Sequence, residues 1–304
     1  MDQTTQCALE TELKSIFGEN CCIRRCRSVS GGSISRSFHL EIEGDTYVRD
    51  VFIKLNNVSK YSLFTAEETS LTALANTNTV RVPKALFTGC TQQHSFIAME
   101  YFDLKPLDIT AAVILGEQMA HLHQHQDHHQ NQNLYGFKQD NFIGLTPQSN
   151  HSESDWSVFI KKQRLGFQLE LALKRGLDNK LVKVVETIID HVEIIFDNYA
   201  PASSLLHGDL WAGNAAMTAD GEPVIYDPAC YYGDRETDIA MTELFGSYPL
   251  EFYQSYNRLL PMADGYQIRK HVYNLYHLMN HYNLFGPSYE SRLMTESQQI
   301  IAQL

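Results

Sequence analysis

Between residues 28 and 55 short apolar runs alternate with polar and glycine positions (SVSGGSISRSFHLEIEGDTYVRDVFIKL), a period near two that predicts two or three antiparallel strands with Glu43-Gly44-Asp45 as a hairpin turn. Over 61 to 74 the spacing lengthens toward 3.6, with Leu63, Phe64, Leu71 and Leu74 on one side, which predicts a helix. Pro83 interrupts, and ALFTGC and HSFIAMEYF read as two further strands, the second running into the acidic, Pro-containing DLKPLD. Beyond residue 108 the pattern is helical, at roughly 110 to 125, 156 to 175, 180 to 197, 235 to 246, 248 to 259 and 266 to 284. A loop and hairpin island interrupts it between 204 and 232, and the polar stretch 127 to 155 reads as a long ordered loop. The first residues look like an amphipathic helix, and no internal repeat is evident. The pattern is that of an α+β chain, with a sheet-rich part over 1–102 and a mainly helical part over 103–304.

Composition narrows the classes. The chain has 304 residues, 43% of them hydrophobic, enough to bury the core of one large domain or two lobes. Lys and Arg number 24 against 36 Asp and Glu, a net charge of −12, and no basic block offsets it. Broad attachment to nucleic acid or to anionic membranes is therefore not expected, while a local site for a small phosphorylated ligand stays open. Six cysteines, at 7, 21, 22, 26, 90 and 230, lack the density of a disulfide scaffold and suit a reducing compartment. No secretion signal is visible, and apolar stretches such as AAVIL at 111 to 115 fall short of the roughly 20 residues a membrane span needs. The expectation is a soluble, cytoplasmic protein.

Chemistry concentrates in HGDLWAGN at 207 to 214, followed after a short hairpin by VIYD at 224 to 227. Asp209 and Asn214 on one tight loop can aim a carboxylate at a hydroxyl and an amide oxygen at a metal, while Asp227 approaches from the neighbouring strand: a floor for phosphoryl transfer. Lys54 ends the strand VFIK, where an unpaired ammonium is costly to bury, so Glu67 or Glu68 of the following helix is expected to pair with it. In Ser30-Gly31-Gly32-Ser33 two glycines let backbone amides approach an anion, although the segment is neither GxGxxG nor GxxxxGK[ST]. Met99-Glu100-Tyr101-Phe102 stands where sheet gives way to helix, with backbone groups able to meet the edge of an adenine ring. His121, His125 and His129, with His123 and His128 nearby, recur at helical spacing, but no cysteine or carboxylate completes a zinc site, so adventitious or no metal binding is expected. Cys21, Cys22 and Cys26 form no Cys-x-x-Cys unit, and the serines lack a Gly-x-Ser-x-Gly elbow.

With the middle stretch GFKQDNFIGLTPQSN (136 to 150), the Trp156, Phe159 and Arg164 that follow it, and IYDPACYYGDRETDIAM (225 to 241), the chain resembles the fructosamine kinase, or ketosamine kinase, family over nearly its whole length. The middle stretch separates it from choline and aminoglycoside kinases, which look similar only around the catalytic loop. The resemblance implies a protein-kinase-like bilobal fold that uses ATP and Mg2+. It implies that Asp209 accepts the sugar hydroxyl proton, that Asn214 and Asp227 hold magnesium, and that Lys54, with Glu67 as its partner, contacts the ATP phosphates. Gly31, Gly32 and Ser33 then form the phosphate loop, and Met99, Glu100, Tyr101 and Phe102 the adenine hinge. Asp234, Arg235, Glu236 and Asp238 belong to a family signature expected to organise the loop after Asp227. Polar groups for the sugar are sought in Trp211, Asp234, Arg235, Asp140 and Asn141.

His207-Gly208-Asp209 stands where protein kinases have His-Arg-Asp, Asp227-Pro228-Ala229 where they have Asp-Phe-Gly, and no APE motif follows, which argues against protein phosphorylation as the main activity. The implied reaction phosphorylates the sugar 3-hydroxyl of a free or protein-linked ketosamine (a fructosamine or ribulosamine), making the adduct labile and undoing glycation. Two other readings stay open: a different small-molecule kinase acting on an aminoglycoside, choline or a sugar, and a nucleotide-binding scaffold without catalysis.

Overall fold

A computed structural model describes residues 3–29, 34–125 and 134–304. Gly31, Gly32 and Ser33 of the expected phosphate loop, and His128 and His129 of the histidine cluster, lie outside the described residues.

Strands β1 (Cys22–Val29), β2 (Arg36–Glu43), β3 (Val48–Asn57), β4 (Ala85–Cys90) and β5 (His94–Glu100) form one antiparallel sheet in the order β1-β2-β3-β5-β4. The first strand begins at Cys22, ahead of the stretch in which alternation is visible. Period-two alternation then decides which way each side chain points. Phe38, Leu40, Ile42, Val51, Ile53 and Leu55 share a buried cluster with Leu9 and Leu13 of α1 (Gln3–Phe17). Lys54, between Ile53 and Leu55, must therefore project from the opposite face. On that face Ile97 and Met99 of β5 join Phe64, Leu71 and Leu74 of α2 (Tyr61–Asn76) in the main core.

The helical part opens with α3 (Ile109–Gln124), whose N-terminus is capped by the Asp108 carboxylate accepting from Ala111 N at 2.8 Å. The polar stretch read as a loop contains a small hairpin, β6 (Asn141–Ile143) and β7 (Thr146–Gln148), turning at Gly144 with φ +63°. The single helix expected over 156 to 175 is composite: α4 (Trp156–Phe159), a π-helical segment (Ile160–Gly166) and α5 (Phe167–Lys174). Helix α6 (Asn179–Ile195) follows, then β8 (Ser204–Leu206), β9 (Ala215–Met217), β10 (Pro223–Ile225) and β11 (Tyr231–Gly233). The chain ends with α7 (Glu236–Leu244), α8 (Leu250–Leu259), α9 (Tyr266–Phe285) and α10 (Glu290–Ile301), the last unforeseen from the pattern.

Two backbone fastenings hold the β9–β10 hairpin, one from the segment leaving β5 and one from the sheet-rich part. Lys105, on the segment leaving β5, exchanges both hydrogen bonds with Met217 at 2.8 Å, and Arg81 O accepts from Ile225 N at 3.1 Å. That hairpin joins Asn214 to Asp227, and the Arg81 bond anchors its second strand to the part that carries Lys54. Among the described residues no helix is long and apolar enough to cross a membrane.

Candidate active site

The Lys54 ammonium lies 2.5 Å from Glu67 Oε1 on α2 and 2.5 Å from Asp227 Oδ1 just beyond β10. Glu68 turns away and accepts from Thr88 Oγ1 at 3.0 Å, which settles which of the two glutamates faces the lysine. Burial by itself would depress the ammonium's pKa, but the charges of Asp227 and Glu67 outweigh it and hold Lys54 above its ordinary value. The side chains of Lys54 and Glu67 are each 13% exposed whereas Asp227 is 43% exposed, so Asp227 is the member of the trio open to a ligand. Its backbone is left-handed, φ +59°, a conformation a non-glycine residue keeps only when its neighbours over-determine it. Upstream, Tyr226 N donates to Asn214 O at 3.0 Å; downstream, Ala229 N donates to His207 O at 2.8 Å.

β8 ends at Leu206 and releases His207, Gly208 and Asp209 into the same space. Asp238, in the first turn of α7 and 1% exposed, accepts from the backbone N–H of His207 (2.7 Å) and of Gly208 (2.9 Å), and its Oδ2 lies 3.2 Å from His123 Nε2. The His207 ring stands 3.0 Å from Tyr226 O through Nε2, while Nδ1 meets Asp209 N–H at 3.2 Å. Those partners assign the proton to Nε2, and burial keeps the ring's pKa below the ordinary histidine value, hence neutral. Gly208 has φ +82°, and a Cβ there would fall 2.1 Å from Ala229 O, so no side chain fits. Asn214 donates Nδ2 to Asp209 O (2.9 Å) and Oδ2 (3.2 Å), which leaves its Oδ1 to take a cation.

Asp209 is pushed up to about 7, first by burial, then by the nearby charge of Asp227, against the stabilising hydrogen bond from Asn214. Such crowding of carboxylates is what a divalent cation relieves. Among the described residues no group of three or more His, Cys, Asp or Glu is placed to hold a metal on its own. One carboxylate and one amide oxygen are too few to enclose a structural ion, but they suit Mg2+, which takes its other ligands from phosphate oxygens and water.

At the exit of β5, Met99 is buried opposite Phe52, two residues along β3 from Lys54. The Glu100 carboxylate is engaged by Arg81 at 2.6 Å, the Tyr101 ring stacks on His39 with centroids 3.8 Å apart, and Phe102 lies beneath the Arg81 guanidinium. These contacts fix the junction's side chains beside the Lys54 face.

The sugar-contact candidates separate by burial. Trp211 is 38% exposed two residues from Asp209, and its indole covers Gly213, where a Cβ would fall 2.2 Å from the ring. Asp140 is also exposed, its carboxylate accepting from Asn150 N at 2.8 Å. Three other candidates are engaged within the chain. Asn141 is 2% exposed and donates to Cys230 O at 2.7 Å. Asp234 is fully buried, accepting from Tyr273 OH at 2.5 Å and Glu236 N at 3.0 Å. Arg235 reaches the Tyr256 hydroxyl at 3.0 Å and the carbonyls of Leu260 and Pro261 at 3.2 and 2.5 Å. Their polar groups are spent on the scaffold. The signature also acts elsewhere than expected: Asp238 braces the loop before Asp227, and Glu236 is sunk in a bidentate pair with Arg269 at 2.8 Å.

Sequence reasoning missed the pair His123 and Asp238. His123, noted only as a neighbour of the His121, His125 and His129 series, is 4% exposed and also 2.8 Å from the Tyr256 hydroxyl, whereas α3 stops at Gln124 and leaves His125 as its extended C-cap. Their partnership spans 115 positions, and no local periodicity signals it.

A family model for fructosamine kinase matches residues 5–304. A probable ketoamine kinase of Vibrio parahaemolyticus is 42% identical over 275 residues, covering 90% of this chain and 91% of the relative. A chloroplastic protein-ribulosamine 3-kinase of Arabidopsis thaliana is 37% identical, over 91% of this chain and 83% of the relative. A solved structure from Haemophilus somnus, whose name includes fructosamine-3-kinase, superposes with a TM-score of 0.86 at 31% identity and covers 97% of each chain. The choline kinase of Streptococcus pneumoniae shares the fold alone, with a TM-score of 0.64 at 10% identity over 97% of this chain and 99% of its own.

Proposed function

The chain belongs to the fructosamine kinase family, and from that membership we propose that it transfers the γ-phosphoryl group of ATP to the 3-hydroxyl of a ketosamine, free or protein-linked. The observation that carries this reading is the convergence of two pairs, Lys54 with Asp227 at 2.5 Å and Asn214 with Asp209 at 3.2 Å, which the backbone bond from Tyr226 N to Asn214 O at 3.0 Å holds side by side. Asp209, held by Asn214 and backed by the Asp238 brace, orients the acceptor hydroxyl and takes its proton. Lys54, kept charged and aimed by Glu67, meets the phosphate oxygens. Asn214 Oδ1 and Asp227 would hold Mg2+, which when bound neutralises charge on the transferring phosphate. Trp211 offers an apolar face to the sugar ring beside Asp209. Phosphorylation of that 3-hydroxyl would make the adduct labile and release the amine. Six free cysteines fit a reducing, cytoplasmic setting.

The test is a phosphotransfer assay with ATP and magnesium against ribuloselysine, fructoselysine, choline and kanamycin. Transfer to one or both ketosamines at a kcat/KM well above the other two is expected. Preference for choline or kanamycin would assign another small-molecule kinase, and nucleotide binding without transfer to any acceptor would indicate a scaffold.

A further inference from the structure

Behind the segment that follows Asp227 runs a buried polar chain that phosphoryl transfer, as described, does not use. At its head is Arg164 in the π-helical segment, completely buried and without a carboxylate in ion-pair reach among the described residues. Its guanidinium lies over the rings of Tyr231 (4.0 Å to the centroid) and Phe159 (4.6 Å). It donates to Ser149 O at 2.6 Å and to Asn150 Oδ1 at 2.9 Å. A buried arginine without an acid partner is expensive to keep, and a helix interrupted by a π segment often marks a functional position.

An arginine can only donate, so Asn150 must turn its oxygen toward Arg164 and its nitrogen away. That nitrogen donates to Gln139 O (3.1 Å) and Asn141 Oδ1 (3.0 Å). Asn141 Oδ1 also accepts from Gln148 Nε2 at 2.8 Å, so the Asn141 nitrogen is directed to Cys230 O at 2.7 Å. Gln148 gives its other N–H to Ala229 O at 3.1 Å, while its oxygen takes the Tyr276 hydroxyl at 2.5 Å. All three amides are no more than 2% exposed, so water cannot substitute if one of them flips. One donor-only residue thus sets the polarity of three amides and, through them, grips two consecutive carbonyls. Those carbonyls belong to the second and third residues after Asp227, whose left-handed backbone needs both sides held.

We propose that Arg164 is a positioning residue for phosphoryl transfer: through Asn150, Asn141 and Gln148 it locks the carbonyls of Ala229 and Cys230, and so keeps the Asp227 carboxylate where a nucleotide-bound divalent cation requires it. The proposal rests on Asp227 being a metal ligand.

Asn150→Asp keeps the shape and the acceptor for Arg164 but replaces the amide donor with a second acceptor, reversing the chain's polarity. Gln148→Met keeps much of the volume and releases Ala229 O. Arg164→Lys removes the fork. In calorimetry of ADP binding with magnesium and then with EDTA, the magnesium-dependent gain in affinity is expected to fall about tenfold or more in these variants. Affinity for metal-free ADP and KM for the acceptor should stay within twofold of wild type, while the magnesium concentration for half-maximal kcat rises. Folded Asn150→Asp and Gln148→Met proteins with the wild-type magnesium gain, whether or not their Tm is lowered, would overturn the proposal and leave Arg164 a scaffold residue. Asp227→Asn is measured alongside. If it too keeps the magnesium gain, the metal-ligand reading falls and takes the proposal with it; if it alone loses the gain, only the relay is rejected.

Discussion

Asp209→Asn is expected to leave ATP binding close to wild type and to slow phosphoryl transfer by about a hundredfold to ten-thousandfold, the range for losing a positioned general base. The amide can still accept a hydrogen bond from the acceptor hydroxyl but cannot take its proton, so the loss should appear in kcat with KM for ATP little changed. The same substitution has an opposite effect on stability. Asp209 ionises only near about 7 in the folded chain, because burial and the Asp227 charge oppose its anion, whereas an unfolded aspartate ionises near 4. Between those values the folded state holds a proton that the unfolded state lacks, so stability rises as pH falls and is lost as pH climbs through 7. Asparagine carries no such penalty. In EDTA and without nucleotide, the Asn variant is expected to melt above wild type at pH 8, with the gap closing as pH is lowered to 6. Parallel Tm profiles, or equal turnover, would reject the role assigned to Asp209.

Asp238→Ala should damage both fold and turnover. Burial alone would raise the Asp238 pKa, but its hydrogen bond to His123 and the one it accepts from the Gly208 N–H hold it below the ordinary carboxylate value. It therefore contributes stability that is present above the unfolded pKa and lost as pH falls through the lower, folded one. Removing the carboxylate strands the backbone N–H of His207 and Gly208 in a site 1% exposed, together with the ring of His123. Each unsatisfied buried group costs about 1 to 3 kcal/mol, so a loss of several kcal/mol is expected by chemical denaturation. Because Asp209 is the next residue after that brace, kcat should fall by about a hundredfold, comparable to displacing a catalytic group by an ångström. Asp238→Asn, with one carbonyl oxygen to offer, should fall between. An Ala variant with wild-type unfolding and kcat would remove Asp238 from the machinery.

What the sequence made legible was local. Alternation along 36 to 55 was enough to point Lys54 away from Ile53 and Leu55, and HGDLWAGN with VIYD lies within one strand, loop and hairpin, so its three polar side chains had to be neighbours. Longer-range pairings were not legible. Asp234, Arg235 and Asn141 look like surface polar groups in one dimension, but Tyr273 of α9, the 256 to 262 segment and the Cys230 carbonyl take up their polar atoms. His123 and Asp238 meet only because α3 packs against β8 and the first turn of α7 reaches the backbone just beyond that strand's end. The β6–β7 hairpin has strands of three residues, too short for periodicity to register. Helix α10 is amphipathic over Glu290–Ile301, yet its sparse apolar positions, such as Leu293 and Ile300, gave a weak signal.

The most direct measurement is the anomalous scattering of manganese in crystals grown with a non-hydrolysable ATP analogue. A peak within about 2.3 Å of both Asn214 Oδ1 and an Asp227 carboxylate oxygen, with Lys54 Nζ on the phosphates and Asp209 facing the γ-phosphate, is the predicted result. Manganese bound to the nucleotide but touching neither Asn214 nor Asp227 would contradict it.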